Sequence, residues 1–596
     1  MSSQSNSKNG VSVKAYCGDA MTLLAFNLTE NLTENCVGFT IQFKTPHERS
    51  FYLPNRLSFT AAPVPMPGQP PQPMPSHSSL DCPIQKFRWL HVPYSSKENT
   101  VEFGNYTYFI TPRYWKNGAL QALDPNLTVD VAVPLNPFVK DKLSVSFTRG
   151  FMISQAYARR FGNDTSLSPD EQHILFDTGK TSGAYPAESG NVGNFTYADQ
   201  FAWMGWQARK AIMNLIKEVT DDATGKKSLD VLAYDFSEPD IAKELLALGV
   251  AGKVRIILDD HEKDTTANAY LIKKDFEDKF RAAAPNGVIV RGSFSRQAHC
   301  KVMILKDDNK AVKVLTGSTN FSINGLCVNA NHVLILDDKE VADKYLQIFE
   351  ASLNLLLKKP TWTMKKLKEL ALFTDDFNIN RPGLPKMTIS FAPHTKEAAT
   401  RILDQVNTAI DGAKGSVLFA VMQLTKVTGG SVVKKLRDMH NTGALFSYGI
   451  TDMADDIAVY RPGATRARLV STQMLAATLP EPFSKEVSTS QGHRVHHKMV
   501  VLDFNDANPI AICGSSNLAQ GGEEQNGDNL LTIYDKDVAT VFAIEAIRLI
   551  DHFQYRAAMA TATDRKPLLL KQNNSWLTNA YKDNEMDCTD RKYFIK

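Results

Sequence analysis

A chain of 596 residues is too long for one hydrophobic core, so two to four domains are expected. Hydrophobic residues at 43% and charged residues at 22% are those of an ordinary globular protein, and no apolar run approaches the length of a membrane span. A formal charge of +3 permits an anionic substrate without demanding nucleic acid.

The N-terminal MSSQSNSKNG is polar and has no apolar stretch of the secretory type, so a cytoplasmic protein is expected. The seven cysteines are scattered, and no pair has metal-ligand spacing. They read as reduced, mostly buried thiols. Residues 1–148 read as β. TLLAFNL, GFTIQF, RLSFTA, PIQKFRWLHVPY, YTYFITPRYW and LTVDVAVPL are short, apolar or alternating, and separated by turn residues. The proline-rich AAPVPMPGQPPQPMP, from Ala61 to Pro75, is predicted as a surface loop. Spaced strands without helices predict an antiparallel sandwich-like domain. Scaffold is the default role of that domain, with a lipid-binding or partner-binding module as alternatives.

From about Phe151 the pattern changes. FAWMGWQARKAIMNLIKEV, EPDIAKELLALG and TANAYLIKKDFEDKFRAAA have helical spacing. They alternate with the apolar strands LDVLAYDF, KVRIILDD, VIVRGSF, HCKVMIL, AVKVLTG and HVLILDD, and VADKYLQIFEASLNLLL closes the unit as a helix. The order then restarts at MTISFAP. Helices AATRILDQVNTAIDGA and SVVKKLRDMH, strands SVLFAVMQL, ALFSYGI, HHKMVVLDF, PIAICG and NLLTIYD, and a last helix ATVFAIEAIRLIDHFQYRAAMA follow. This is an internal duplication. It predicts two α/β domains, at 149–372 and 373–596, each a mixed sheet flanked by helices. The polar tail after Arg565 is predicted to wrap the surface.

Each half carries His-x-Lys followed by an apolar run and Gly-Ser-x-Asn. His299 and Lys301 belong to the first half and His496 and Lys498 to the second. In a strand, residues i and i+2 share a face, so each histidine projects with its lysine. Ser318 and Asn320, and in the second half Ser515 and Asn517, end the next strand beside that pair. Two imidazoles, two ammonium groups, two hydroxyls and two amides suit a phosphate diester. Lysines neutralise its oxygens and the donors hold them. One neutral histidine can attack phosphorus while the other, protonated, donates to the leaving oxygen. No metal or other cofactor is required by this set, and no carboxylate cluster that would hold a metal is evident. His497 and Cys300 face away from the cluster and read as structural and core residues, and His493 reads as loop.

These residues resemble the HxK(x)4D and GSxN signature of the phospholipase D superfamily, present twice over roughly residues 150–560. The second half matches at His496, Lys498, Asp503, Gly514, Ser515 and Asn517. The first half carries Lys306 at the aspartate position, with Asp307 one residue later as a possible substitute. In alignment, Asn329 faces Asn526. The resemblance implies two α/β lobes meeting at one cleft, a phosphohistidine intermediate and no metal. In double-motif relatives the first motif often supplies the nucleophile, which assigns His299 as nucleophile and His496 as general acid. Asp503 is then a supporting residue.

The resemblance leaves the diester open. A phospholipid, hydrolysed or passed to another alcohol with peripheral membrane contact, is the favoured substrate. A nuclease is the alternative, with KKPTWTMKKLK from Lys358 and RPGATRAR from Arg461 as candidate basic segments. A degenerate binding protein is the third reading, suggested only by Lys306.

Overall fold

The computed structural model describes residues 3–60, 77–93, 101–150, 154–162, 166–169, 173–260, 268–292, 294–358, 367–424, 431–442, 445–454, 467–471, 495–561 and 568–596. The proline-rich loop, His493 and most of both basic segments lie outside them.

The N-terminal region is two antiparallel sheets. One orders Ser3–Lys8, Val11–Cys17, Thr22–Leu28 and Arg88–His91. The other orders Ala119–Leu120, Gly104–Lys116, Cys36–Lys44 and Ser50–Tyr52, with Val129–Leu135 also paired to Gly104–Lys116. Val129–Leu135 shows why these residues form strands. Its side chains alternate strictly between buried and exposed, the period of a sheet with one wet face. Phe26, Phe39, Ile41, Tyr108 and Val131 fill the space between the sheets. Each such large apolar side chain contributes about 1.5–3 kcal/mol when fully buried.

The two halves of the duplication form eight-stranded sheets of the same order. The first runs Phe138–Lys140, Leu143–Phe147, His332–Leu336, Lys310–Gly317, Lys301–Asp307, Lys227–Ala233, Val254–Asp259, Val288–Gly292. The second runs Phe377–Ile379, Lys386–Ala392, Asp528–Tyr534, Ile510–Gly514, Lys498–Leu502, Ser416–Leu424, Phe446–Ala454, Ala467–Ser471. In both, the last three strands are parallel and the others antiparallel. Helices cover the faces, including Tyr197–Thr220, Pro239–Val250 and Lys339–Lys358 in the first lobe and Lys396–Gly412, Ser431–Thr442 and Lys536–Thr561 in the second. Tyr197–Thr220 starts at a capping box. The Thr196 hydroxyl takes the Asp199 N–H while the Asp199 carboxylate takes the Thr196 N–H.

Three features differ from the sequence reading. The first lobe's sheet begins at Phe138, inside the segment 1–148, because Leu143–Phe147 pairs with His332–Leu336. The HxK strands begin at Lys301 and Lys498, so His299 and His496 lie in the extended segments just before them. The tail is also more than a surface wrap. Trp576 and Leu577 complete the core of the N-terminal sandwich, and the Trp576 indole N–H donates to the Cys36 carbonyl at 2.9 Å. The closing helix Met586–Ile595 then ties that sandwich to the second lobe. Asp590 takes the Nε–H of Arg88 at 2.9 Å, and the Tyr593 hydroxyl bonds Ser416 Oγ at 2.7 Å.

One hydrophobic cluster runs through both lobes, joining Val302–Leu305 of the first to Met499, Val501 and the Lys536–Thr561 helix of the second. The duplicated sheets are therefore held in one fixed relation.

Candidate active site

Where the lobes meet, backbone approaches backbone. Gly317 and Gly514 have φ of 141° and 143°. A Cβ at Gly317 would stand 2.3 Å from the His332 carbonyl oxygen, and one at Gly514 would stand 2.4 Å from that of Asn529. No residue but glycine fits either place. The two GSxN turns follow directly and bring the motifs of both halves together.

His299 and His496 face each other with ring centroids 6.4 Å apart. Both are largely buried, at 4% and 6% exposed. Each is oriented by the opposite lobe. Asp528 Oδ1 lies 2.7 Å from His299 Nδ1. His496 Nδ1 lies 2.9 Å from Asn331 Oδ1 and 3.1 Å from the Ser318 carbonyl. Asp528 and Asn331 occupy equivalent positions, fourteen residues after the glycine of each GSxN, in the register that sets Asn329 opposite Asn526. Carboxylate and carbonyl oxygens only accept here, so both histidines carry hydrogen on Nδ1 and turn Nε2 toward the shared space.

The lysines lie beside their own histidines. Lys498 Nζ donates to the His496 carbonyl at 2.8 Å, and Lys301 Nζ to the His299 carbonyl. Lys301 also sits 4.7 Å from the centre of the Tyr234 ring, whose edge meets His299 with centroids 4.8 Å apart. Burial, and then the charge of Lys301, hold the His299 imidazole down to about 4 against the pull of Asp528. His299 is therefore neutral at neutral pH, the form that can attack phosphorus. Burial lowers the Lys301 ammonium to about 8, so it is still mostly charged there.

The other residues of the repeated motif divide by task. The Ser318 hydroxyl donates to Asn331 Oδ1 at 2.8 Å and accepts the His332 N–H at 3.0 Å. Ser515 Oγ accepts the Asn529 N–H at 3.0 Å. Both hydroxyls are fully buried and spent on holding the turns. Asn320 and Asn517 differ, since the side-chain oxygen of each is buried without a hydrogen-bond partner. Asp503 takes the backbone N–H groups of Lys414, Gly415 and Ser416 at 2.7–3.1 Å, which fixes the loop before Ser416–Leu424.

Lys306, in the equivalent place of the first lobe, does something else. It is buried and pairs with Asp230 at 2.9 Å, beside Arg255, which also binds Asp230. Asp307 is exposed and does not take over the aspartate's place. The loop before Lys227–Ala233 is held instead by Asp222, whose carboxylate takes the Lys227 N–H at 2.8 Å.

His497 and Cys300 are buried behind the site, as their strand parity predicts. Sequence reasoning missed Asp528, Asn331 and Tyr234. The first two carried a signal, because the alignment of the halves already set them opposite each other. Among the described residues no group of three or more His, Cys, Asp or Glu is placed to hold a metal ion, and no helix is long and apolar enough to cross a membrane.

Residues 217–353 and 406–550 match the family model described as "Cardiolipin synthase, PLD-like domain". The chain is 30% identical over 123 residues to a phospholipase D of Rickettsia prowazekii (strain Madrid E), covering 20% of this chain and 54% of that relative. The match thus spans about half the relative's length. Among solved structures it is similar to phosphatidylserine synthase of Haemophilus influenzae Rd KW20, with TM-score 0.39 and 12% identity over 58% of this chain and 85% of that one. It is also similar to Nuc, a phospholipase D family member from Salmonella typhimurium, with TM-score 0.19 and 28% identity over 23% of this chain and 84% of that one.

Proposed function

The chain belongs to the phospholipase D superfamily, and from that premise we propose that it is a metal-independent phosphodiesterase working through a phosphohistidine intermediate. The observation that carries this reading is the pair of imidazoles 6.4 Å apart, each fixed through Nδ1 by the other lobe. Each can reach one phosphoryl group placed between them.

The difference between the two supports orders their roles. Asp528 stabilises positive charge developing on His299 as its Nε2 attacks phosphorus and the P–O bond to the leaving group breaks. Asn331 is neutral and leaves protonated His496 free to give up its Nε2 proton to that leaving oxygen. His496 then takes a proton from water, or from an acceptor alcohol, as that molecule attacks the phosphohistidine and frees His299. Lys301 and Lys498 offset the charge of the phosphoryl oxygens, and the amides of Asn320 and Asn517 complete the cradle.

A phospholipid is the favoured substrate, supported by the names of the matching family and the Rickettsia relative. The test is a substrate panel in EDTA. It compares phosphatidylcholine vesicles with and without a primary alcohol, single- and double-stranded nucleic acid, and a chromogenic diester. Cleavage of the vesicles, with alcohol exchange, is expected, and both His299→Ala and His496→Ala abolish it. Salt-sensitive cleavage of nucleic acid alone replaces the lipid reading with the nuclease. Loss of activity on chelation contradicts the metal-independent reading.

A further inference from the structure

A second pair of imidazoles fills the seam behind His496. His497 and His332, one from each lobe, are both fully buried. Their rings stack with centroids 5.4 Å apart and an interplanar angle of 3°, and their Nδ1 atoms are 3.1 Å apart. His497 Nε2 lies 3.1 Å from Glu545 Oε1, and Arg548 donates to both oxygens of that carboxylate at 2.7 Å. His332 Nδ1 lies 3.2 Å from Ser318 Oγ. Burial holds both imidazoles below their ordinary pKa, so both are neutral near pH 7.

The protons in this chain of groups have one consistent placement. Glu545 only accepts, so His497 carries its hydrogen on Nε2 and leaves Nδ1 bare. His332 must then present its hydrogen on Nδ1, where His497 Nδ1 and Ser318 Oγ both stand as acceptors. Ser318 already receives the His332 backbone N–H, so its own hydrogen goes to Asn331 Oδ1. Asn331 is held the same way round by its Nδ2, which donates to the Gly325 carbonyl at 2.8 Å. Its oxygen is left facing His496.

The other half of the duplication has no such pair. Cys300 stands at the position of His497, and Asn529 at that of His332. Asn529 donates to Thr316 Oγ1 at 2.8 Å. The difference matches what each support requires. A carboxylate such as Asp528 offers only acceptors in any rotamer. An amide such as Asn331 can turn its NH2 toward the histidine, where it opposes the Nδ1 proton and leaves only the Ser318 carbonyl to hold it.

We propose that His497 and His332 are positioning residues for proton transfer by His496, locking the Ser318–Asn331 amide so that the Nε2 of His496 points its proton at the leaving oxygen. This rests on the reading of His496 as general acid. Packing between the lobes is the alternative role for the pair, and the two roles differ in which substrates suffer when the pair is broken.

The test uses the full chain in single turnover with excess enzyme. Phosphatidyl-p-nitrophenol has a leaving group that needs no proton, whereas phosphatidylcholine must protonate its departing alcohol. The variants are His332→Asn, which copies Asn529, and His497→Gln. Folded sites are counted beforehand from the burst of nitrophenolate released with substrate in excess, and the single-turnover rates are normalised to that number. Choline release is expected to fall roughly tenfold to a hundredfold, with nitrophenolate release within about threefold of the parent. Equal losses on both substrates, no loss on either, or failure of both variants to give folded sites overturns the proposal in favour of packing. If the parent cleaves neither substrate, or His299→Ala keeps the parent's rates, the phosphodiesterase reading has failed and the proposal falls with it.

Discussion

Asp528 accepts the Nδ1–H of His299 across the lobe boundary at 2.7 Å, from the position where the other half of the duplication carries an amide. The two histidines are thus chemically unequal in a frame that is otherwise repeated. Asp528→Asn is expected to slow formation of the phosphoenzyme roughly tenfold to a thousandfold, with little change in KM. Rapid-quench measurement of the first turnover checks this. An unchanged burst rate would remove the basis for assigning His299 as nucleophile.

Lys306 was the weak place in the sequence match, and its geometry turns that into a stability prediction. It neutralises Asp230 in the interior, so Lys306→Asp sets two carboxylates side by side. The expected cost is about 3–5 kcal/mol, read as a lower denaturation midpoint. Turnover per folded site stays at the parent's value, because the cleft residues do not contact Lys306.

Asp503 shows the opposite case. Removing its carboxylate in Asp503→Ala leaves three backbone N–H groups without their acceptor at the start of a central strand. A loss of about 1–3 kcal/mol is expected. Asp222→Ala, at the corresponding loop of the first lobe, loses less because that carboxylate is exposed to solvent.

The acid side of the stability profile follows from buried imidazoles. Burial holds His299 and His440 down to about 4 and His91 to about 3, and lowers His332 and His497 as well. Each is a base whose folded pKa lies below its unfolded value near 6.5. Between those limits the unfolded chain binds protons that the folded chain does not, so stability rises with pH there. Stability is therefore full above about pH 6.5 and falls toward pH 4, by roughly 1.4 kcal/mol per pH unit for each such histidine. Asp19, buried and pushed up to about 7, works against this, as does Glu238, which burial also raises. Urea titrations from pH 7 to pH 4 check the sign.

The duplication, the strand order and the His-x-Lys pairs were legible because they depend on local period and on motif. The parity of a strand also placed Cys300 and His497 behind the site. What could not be read locally is what crosses the lobes. Asp528 and Asn331 act on histidines about two hundred residues away, and although the alignment of the halves pairs them, no local motif says which histidine each one meets. Leu143–Phe147 reads as one more strand of the N-terminal run, and only its pairing with His332–Leu336 moves it into the first lobe. The tail is polar on average, yet Trp576 and Phe594 decide its place. Average composition hides such anchors, and Leu577, Met586 and Tyr593 are buried beside them.

Under the proposed function both imidazoles act on one phosphorus atom, and His299 takes the covalent bond. The most direct measurement is an alkaline quench during turnover of a 32P-labelled diester, followed by mass-spectrometric mapping of the phosphohistidine. The label is expected on His299 alone, to accumulate in His496→Ala supplied with a nitrophenolate-releasing diester, and to vanish in His299→Ala. Label on His496, or turnover with no covalent adduct in any of the three proteins, would contradict the account.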